Sequence, residues 1–167
     1  MQSINAMHIH RWSALKRVQI ILSFLLVSTY LLAGCATNRA TATVSPSVDL
    51  AALKSMYVKL IPSDNSGVGE EIASKLRTKG VVVKTGAEDP KEKVDAIVTY
   101  IDKWHWDITL YMLALSVSFR EFETNIVMAN GSSLHTSLTR LSQTEMIEEV
   151  IGNIYNNAKL RIIKTAN

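Results

Sequence analysis

Residues 18–32 form an apolar run (Val18, Ile20, Ile21, Leu22, Phe24, Leu25, Leu26, Val27, Tyr30, Leu31, Leu32) that ends on Ala33, Gly34 and Cys35, the only cysteine in the chain. Arg11, Lys16 and Arg17 precede the run, with no acidic residue before it. As a helix its 15 residues would reach about 22 Å, short of a hydrocarbon core of roughly 30 Å. Gln19, Ser23, Ser28 and Thr29 weaken it further as a membrane span. A basic start, a short apolar stretch and a small-residue cleavage site are the three parts of an export signal. The segment therefore constrains everything after it: residues 1–34 are expected to be removed, and the fold must be built from the remaining 133 of 167 residues.

Leu32-Ala33-Gly34-Cys35 resembles the lipobox of Gram-negative bacterial lipoproteins at all four positions. The resemblance implies that the Cys35 thiol receives a diacylglycerol, that cleavage falls between Gly34 and Cys35, and that the freed amine takes a further acyl chain. Two or more chains make a stable anchor, since each buried CH₂ contributes about 0.8 kcal/mol. Acylation also removes the liability of an unpaired thiol in an oxidising compartment. Ala36 stands where lipoproteins kept in the inner membrane often carry Asp, which implies the periplasmic face of the outer membrane.

Cleavage changes the charge balance. The whole chain has 18 Lys+Arg against 15 Asp+Glu and a pI near 9.0. Three of those basic residues and none of the acidic ones lie before Cys35, so the remaining chain is formally neutral. Nucleic acid loses its only support as a partner. The expected partners are the membrane, through acylated Cys35, and an envelope protein. No cofactor is called for beyond the covalent lipid.

Three stretches follow: residues 1–34 as signal peptide, 35–53 as lipidated cysteine and flexible tether, and 54–167 as a periplasmic domain. The tether reading rests on the small, polar, proline-containing composition of 36–48. From Ser55 the pattern turns regular. Met56, Val58 and Leu60 alternate with Tyr57, Lys59 and Ile61 as a strand. Pro62-Ser63-Asp64-Asn65-Ser66 offers turn and capping chemistry, and Val68, Ile72 and Leu76 recur as a helix that Gly80 can end. Val81-Val82-Val83 then reads as a short strand buried on both faces. A strand at 95–101 leads into Asp102-Lys103-Trp104-His105-Trp106-Asp107, and a long strand reaches Arg120.

On that long strand Tyr111, Leu113, Leu115, Val117 and Phe119 share the face expected to pack on the core. Ile108, Leu110 and Met112 share the other with the continuation of Trp104 and Trp106. A returning strand over 126–138 is expected to bulge at Gly131. Ser142-Gln143-Thr144-Glu145 is a capping box, with Ile147, Val150, Ile151, Ile154 and Ala158 as one stripe behind it. The expected architecture is α+β and two-layered: a mixed, mostly antiparallel sheet of about five strands with two helices on one face, preceded by a signal helix and tether.

This order looks like the small periplasmic domains of Gram-negative envelope lipoproteins, including the curli-secretion and penicillin-binding-protein-activator types. Tyr100-x-Asp102-x-Trp104-x-Trp106-Asp107-Ile108 with the long hairpin resembles a group of proteobacterial envelope lipoproteins carrying a D-x-W-x-W-D segment. The resemblance brings no catalytic residues with it and implies a non-catalytic accessory or protein-interaction module, anchored to the membrane. The candidate interaction surface is Trp104, Trp106, Ile108, Leu110 and Met112, residue types enriched at contact surfaces or left as an exposed apolar patch; the alternative is that the two tryptophans pack on the domain's own second layer or under the tail.

Two other readings stand beside it. A lipid or apolar-ligand carrier would need a closed apolar pocket between sheet and second layer. A metal-dependent hydrolase would need His105 and His135 to converge with Asp102 or Asp107, yet no ligand spacing supports it and alternation points Asp102 away from His105. Ser132 or Ser133 with His135 as nucleophile and base lacks a strand-turn-helix elbow.

Overall fold

The computed structural model describes residues 38–165, side chains through 160, and single positions within 19–23. The expectations for the signal segment and for Cys35 lie outside the described residues. Six strands form one sheet in the order β1-β6-β5-β4-β2-β3: β1 Asn38–Val44, β2 Ser55–Lys59, β3 Val82–Gly86, β4 Ala96–Asp107, β5 Thr109–Arg120 and β6 Val127–His135. Two α-helices, α1 Val68–Arg77 and α2 Gln143–Thr165, pack side by side on one face. The α+β two-layer expectation holds, with one strand more than anticipated.

The parallel part is local. β2, α1 and β3 form a strand-helix-strand unit, with β2 parallel to β3 on one side and to β4 on the other. Val68, Ile72, Ala73 and Leu76 give α1 its buried stripe. Asp64 caps it: one carboxylate oxygen accepts from the Val68 amide at 2.9 Å, the other from the Gly69 amide at 2.7 Å and from the Tyr100 hydroxyl at 2.6 Å. Burial pushes this carboxyl up, but those donors outweigh it and hold Asp64 below its ordinary value. Gly80, at φ 84°, closes the other end in the left-handed region. Val81 and Val83 are buried, but Val82 is exposed, so β3 is an edge strand with one wet face rather than a strand covered twice.

The antiparallel part carries the length. β4 and β5, 12 residues each, pair with one another along nearly their whole length, β5 pairs β6, and β6 pairs β1. α2 starts as the sequence says: the Ser142 amide donates to Glu145 Oε2 at 2.8 Å and the Glu145 amide to Ser142 Oγ at 3.3 Å. Met146, Ile147, Val150, Ile151, Ile154 and Ala158 are all buried against the sheet.

Three further sequence expectations change. Residues 38–44 are not a tether but strand β1, paired with β6 from Asn38↔His135 to Val44↔Ala129, and the compact unit begins at Thr37 rather than at 54. Ala40, Ala42 and Val44 do alternate with Arg39, Thr41 and Thr43, but side chains so small make a weak signal. What stabilises β1 lies elsewhere in the chain: the free edge of β6, and α2, whose Asn157 donates to the Ala42 carbonyl at 3.2 Å.

The second change concerns Gly131, which pairs with Ala42 and Val117 without a bulge. The irregularity in β6 falls between its pairs with Phe119 and Arg120, where Met128 is skipped. A Cβ on Gly131 would lie 2.8 Å from Ile154 Cγ1, so the glycine is there because α2 crosses β6 at that point.

The third change is on β5. The ladder passes from Lys103↔Ala114 to Trp104↔Met112, leaving Leu113 as an extra residue. A bulge reverses which side chains face inward beyond it. Met112 therefore joins the face of Leu115, Val117 and Phe119 and is only 1% exposed.

Candidate functional site

The β4–β5 hairpin outruns its neighbours. β6 ends at His135, next to Leu134↔Ala114, while β4 and β5 continue together to Asp107↔Thr109. Along this overhang the inward face continues as Trp104 and Met112, then Trp106 and Leu110, each pair directly across the ladder. The first pair is inside: Met112 is buried, and Trp104 packs against the core with its indole N–H donating to Asp102 Oδ2 at 2.6 Å. The second pair has passed the end of the helical layer. Trp106 is 72% exposed and Leu110 61%.

Ile108 sits at the turn, 84% exposed, with φ 60°. A β-branched residue in the left-handed region is strained by about 1–2 kcal/mol, and an asparagine or glycine would sit there at less cost. The five residues expected as one surface thus separate into two core residues, Trp104 and Met112, and three outward ones, Trp106, Ile108 and Leu110.

The segment after β6 braces this tip. Ser137 Oγ donates to Asp107 Oδ2 at 2.5 Å, Arg140 donates to Thr109 Oγ1 at 2.7 Å, and the Arg140 guanidinium lies 4.6 Å over the Tyr111 ring. His105 meets the same ring edge-on, with centroids 5.7 Å apart. Tyr111 is buried in consequence, and Leu138, in the short 3₁₀ turn Ser137–Thr139, faces outward at 72% exposure. Sequence reasoning missed Leu138, since a lone leucine in a Ser/Thr-rich loop gives no periodic signal.

The other chemistry-bearing cluster is Ser133, His135 and Glu149. Ser133 and His135 point from β6 into the sheet-helix interface, where Glu149 meets them from α2. Ser133 donates its hydroxyl hydrogen to Glu149 Oε2, and His135 Nε2 lies 2.9 Å from the same oxygen. His135 Nδ1 is 2.8 Å from the Thr139 carbonyl oxygen. Both ring nitrogens therefore face oxygen atoms, and the ring is held from both sides. Burial raises the Glu149 carboxyl, but the Ser133 and His135 hydrogen bonds hold it below its ordinary value. The serine hydroxyl is spent on the carboxylate, not on the imidazole, so the wiring differs from a nucleophile-base pair.

His105 lies beyond the end of β6, edge-on to Tyr111, while His135 is inside with Glu149. Among the described residues no group of three or more His, Cys, Asp or Glu is placed to hold a metal ion. The space between sheet and helices is filled by the packed core, including Phe119, Met56, Ile72, Leu76 and Met112. A cleft of about 520 Å³ lies outside it, lined by Lys59, Asp89, Thr99, Arg120, Phe122 and Asn125 among others. Its mixed charge does not match an apolar-ligand site. No helix among the described residues is long and apolar enough to cross a membrane.

The fold and site define a small α+β domain that exposes Trp106, Ile108 and Leu110 at one hairpin tip, with Val82, Ile101, Ile126 and Leu160 exposed elsewhere. No family model matches the chain, and no curated protein matches it in sequence. Among solved structures it is similar to the PelC dodecamer from Paraburkholderia phytofirmans. A single-residue variant of that protein aligns at TM-score 0.52 and 14% identity, covering 70% of this chain and 96% of the PelC chain. A second PelC dodecamer structure aligns at TM-score 0.54 and 11% identity, covering 71% and 98%. At these identities the likeness is one of fold.

Proposed function

We propose that this protein is an envelope lipoprotein, held by an acylated Cys35 at the periplasmic face of the outer membrane, and that it works by contact as a non-catalytic accessory module. One observation carries the reading. The serine, histidine and carboxylate that could perform chemistry are consumed in bracing α2 to β6, whereas the large apolar side chains of the β4–β5 tip are turned outward. A strained, exposed Ile108 is what a surface shaped for contact retains and a surface shaped for stability alone would lose. The two PelC structures that share the fold are dodecamers, which supports a role exercised through surfaces.

The test is Cys35→Ala in the intact organism, followed by fractionation and mass analysis. The expected result is acylated Cys35 and membrane retention for the natural chain, and release of the variant into the soluble periplasm. Unchanged retention of the variant would sink the anchor.

A further inference from the structure

Asn38, the first residue of β1, pairs with His135, and Leu134 pairs with Ala114, so β1 starts at the end of the sheet from which the β4–β5 hairpin projects. The Asp107↔Thr109 rung lies four rungs past Lys103↔Ala114, and Asn38 lies one residue past the level of Leu134. The tip therefore stands about 10 Å beyond Asn38 along the strands, at about 3.4 Å per rung. Cys35 is three residues before Asn38, and three extended residues reach at most about 11 Å. A lipid on Cys35 and the hairpin tip can thus lie in one plane.

We infer that the β4–β5 tip is a membrane-contact element, in which Trp106, Ile108, Leu110 and Leu138 enter the headgroup-acyl boundary of the bilayer that anchors Cys35. The inference rests on the proposed acylation and names the surface that the tip meets. Four large apolar side chains grouped at a projecting end suit a lipid boundary, and tryptophan favours that depth because one edge of its ring is polar. Lys103 is exposed at the base of the overhang and Arg39 at the start of β1, cations that favour anionic headgroups, while Arg140 is paired with Asp107 at 3.8 Å. Contact at the tip would also fix the domain's orientation, with the strands steep to the membrane and the uncovered face of the sheet, carrying Thr41, Thr99, Ser118 and Ser132, held in the periplasm.

The test uses the full acylated protein in vesicles of three parts phosphatidylethanolamine to one part phosphatidylglycerol, with the Cys35 lipid verified by mass. A Trp104→Phe variant leaves Trp106 as the single tryptophan after Cys35. Its emission is expected to be quenched by lipids brominated in the acyl chain and shielded from aqueous iodide. Adding Ile108→Asp and Leu110→Ser should raise iodide quenching several-fold with the acyl anchor unchanged. An Ile108→Cys chain carrying an environment-sensitive fluorophore reads the same depth without touching Trp104. Full iodide access in an acylated chain overturns the inference while leaving the anchor standing. Shielding from both quenchers, the signature of a protein partner at the tip, also overturns it. A bare Cys35 overturns both readings.

Discussion

Replacing Gly131 with alanine puts a methyl group where α2 touches β6. The new Cβ would lie 2.8 Å from Ile154 Cγ1, 2.9 Å from Ile154 Cδ1 and 3.1 Å from Val150 Cγ1. Carbon atoms in good contact sit about 3.5–4.0 Å apart, so the helix must retreat by most of an ångström or Ile154 must leave its rotamer. Ile154 and Val150 are both fully buried, so neither has open space to move into. Overpacking of this kind costs about 1–3 kcal/mol. Alanine regains roughly 0.5–1 kcal/mol over glycine in a strand, so the net loss should be about 1–2 kcal/mol. Urea titration of the acylated chain in detergent, followed by circular dichroism, measures it. In an Ile154→Ala background both of the shortest contacts are gone, and the same Gly131→Ala change should become neutral or stabilising. Equal losses in the two backgrounds, or none in either, would refute the claim that helix approach dictates the glycine.

The remaining predictions concern the tip, the cap and the buried pair. Ile108→Asn should raise stability by about 1 kcal/mol, read as a higher urea midpoint, because asparagine tolerates the left-handed backbone at φ 60°. Asp64→Ala should lower stability by about 1–2 kcal/mol by removing the cap of α1, and Asp64→Asn should recover part of that loss. Asp64 and Glu149 both titrate below their ordinary values when folded, so their contribution is fully present above the unfolded values and is lost as pH falls through the folded ones. The contribution of these two carboxylates should therefore be level from pH 7 to about 5 and fall below about 4, less steeply in Asp64→Asn. Glu149→Ala removes the acceptor that Ser133 and His135 share inside the sheet-helix interface and should cost more than Ser133→Ala, with thermal melts ranking the two.

Some of this protein is written locally. The capping box at Ser142 and the stripe from Ile147 to Ala158 define α2 within one stretch of chain, because a helix satisfies its backbone among near neighbours. The β2-α1-β3 unit and the turn at Gly80 are legible for the same reason. Other features exist only once distant segments meet. β1 is a strand because β6 offers an open edge, and the side chains of 38–44 are too small to announce it. Met112 is inside because a single bulged residue, Leu113, reverses the alternation, and register depends on the pairing of two strands rather than on either alone. His135 finds Glu149 across the sheet-helix interface, and Leu138 reaches the tip only because residues 136–142 wrap the overhang. Helices and turns rest on short-range hydrogen bonds and steric limits, so the sequence determined them; strand pairing and burial are contests among distant segments, and tertiary structure alone decided which side of each strand met the core.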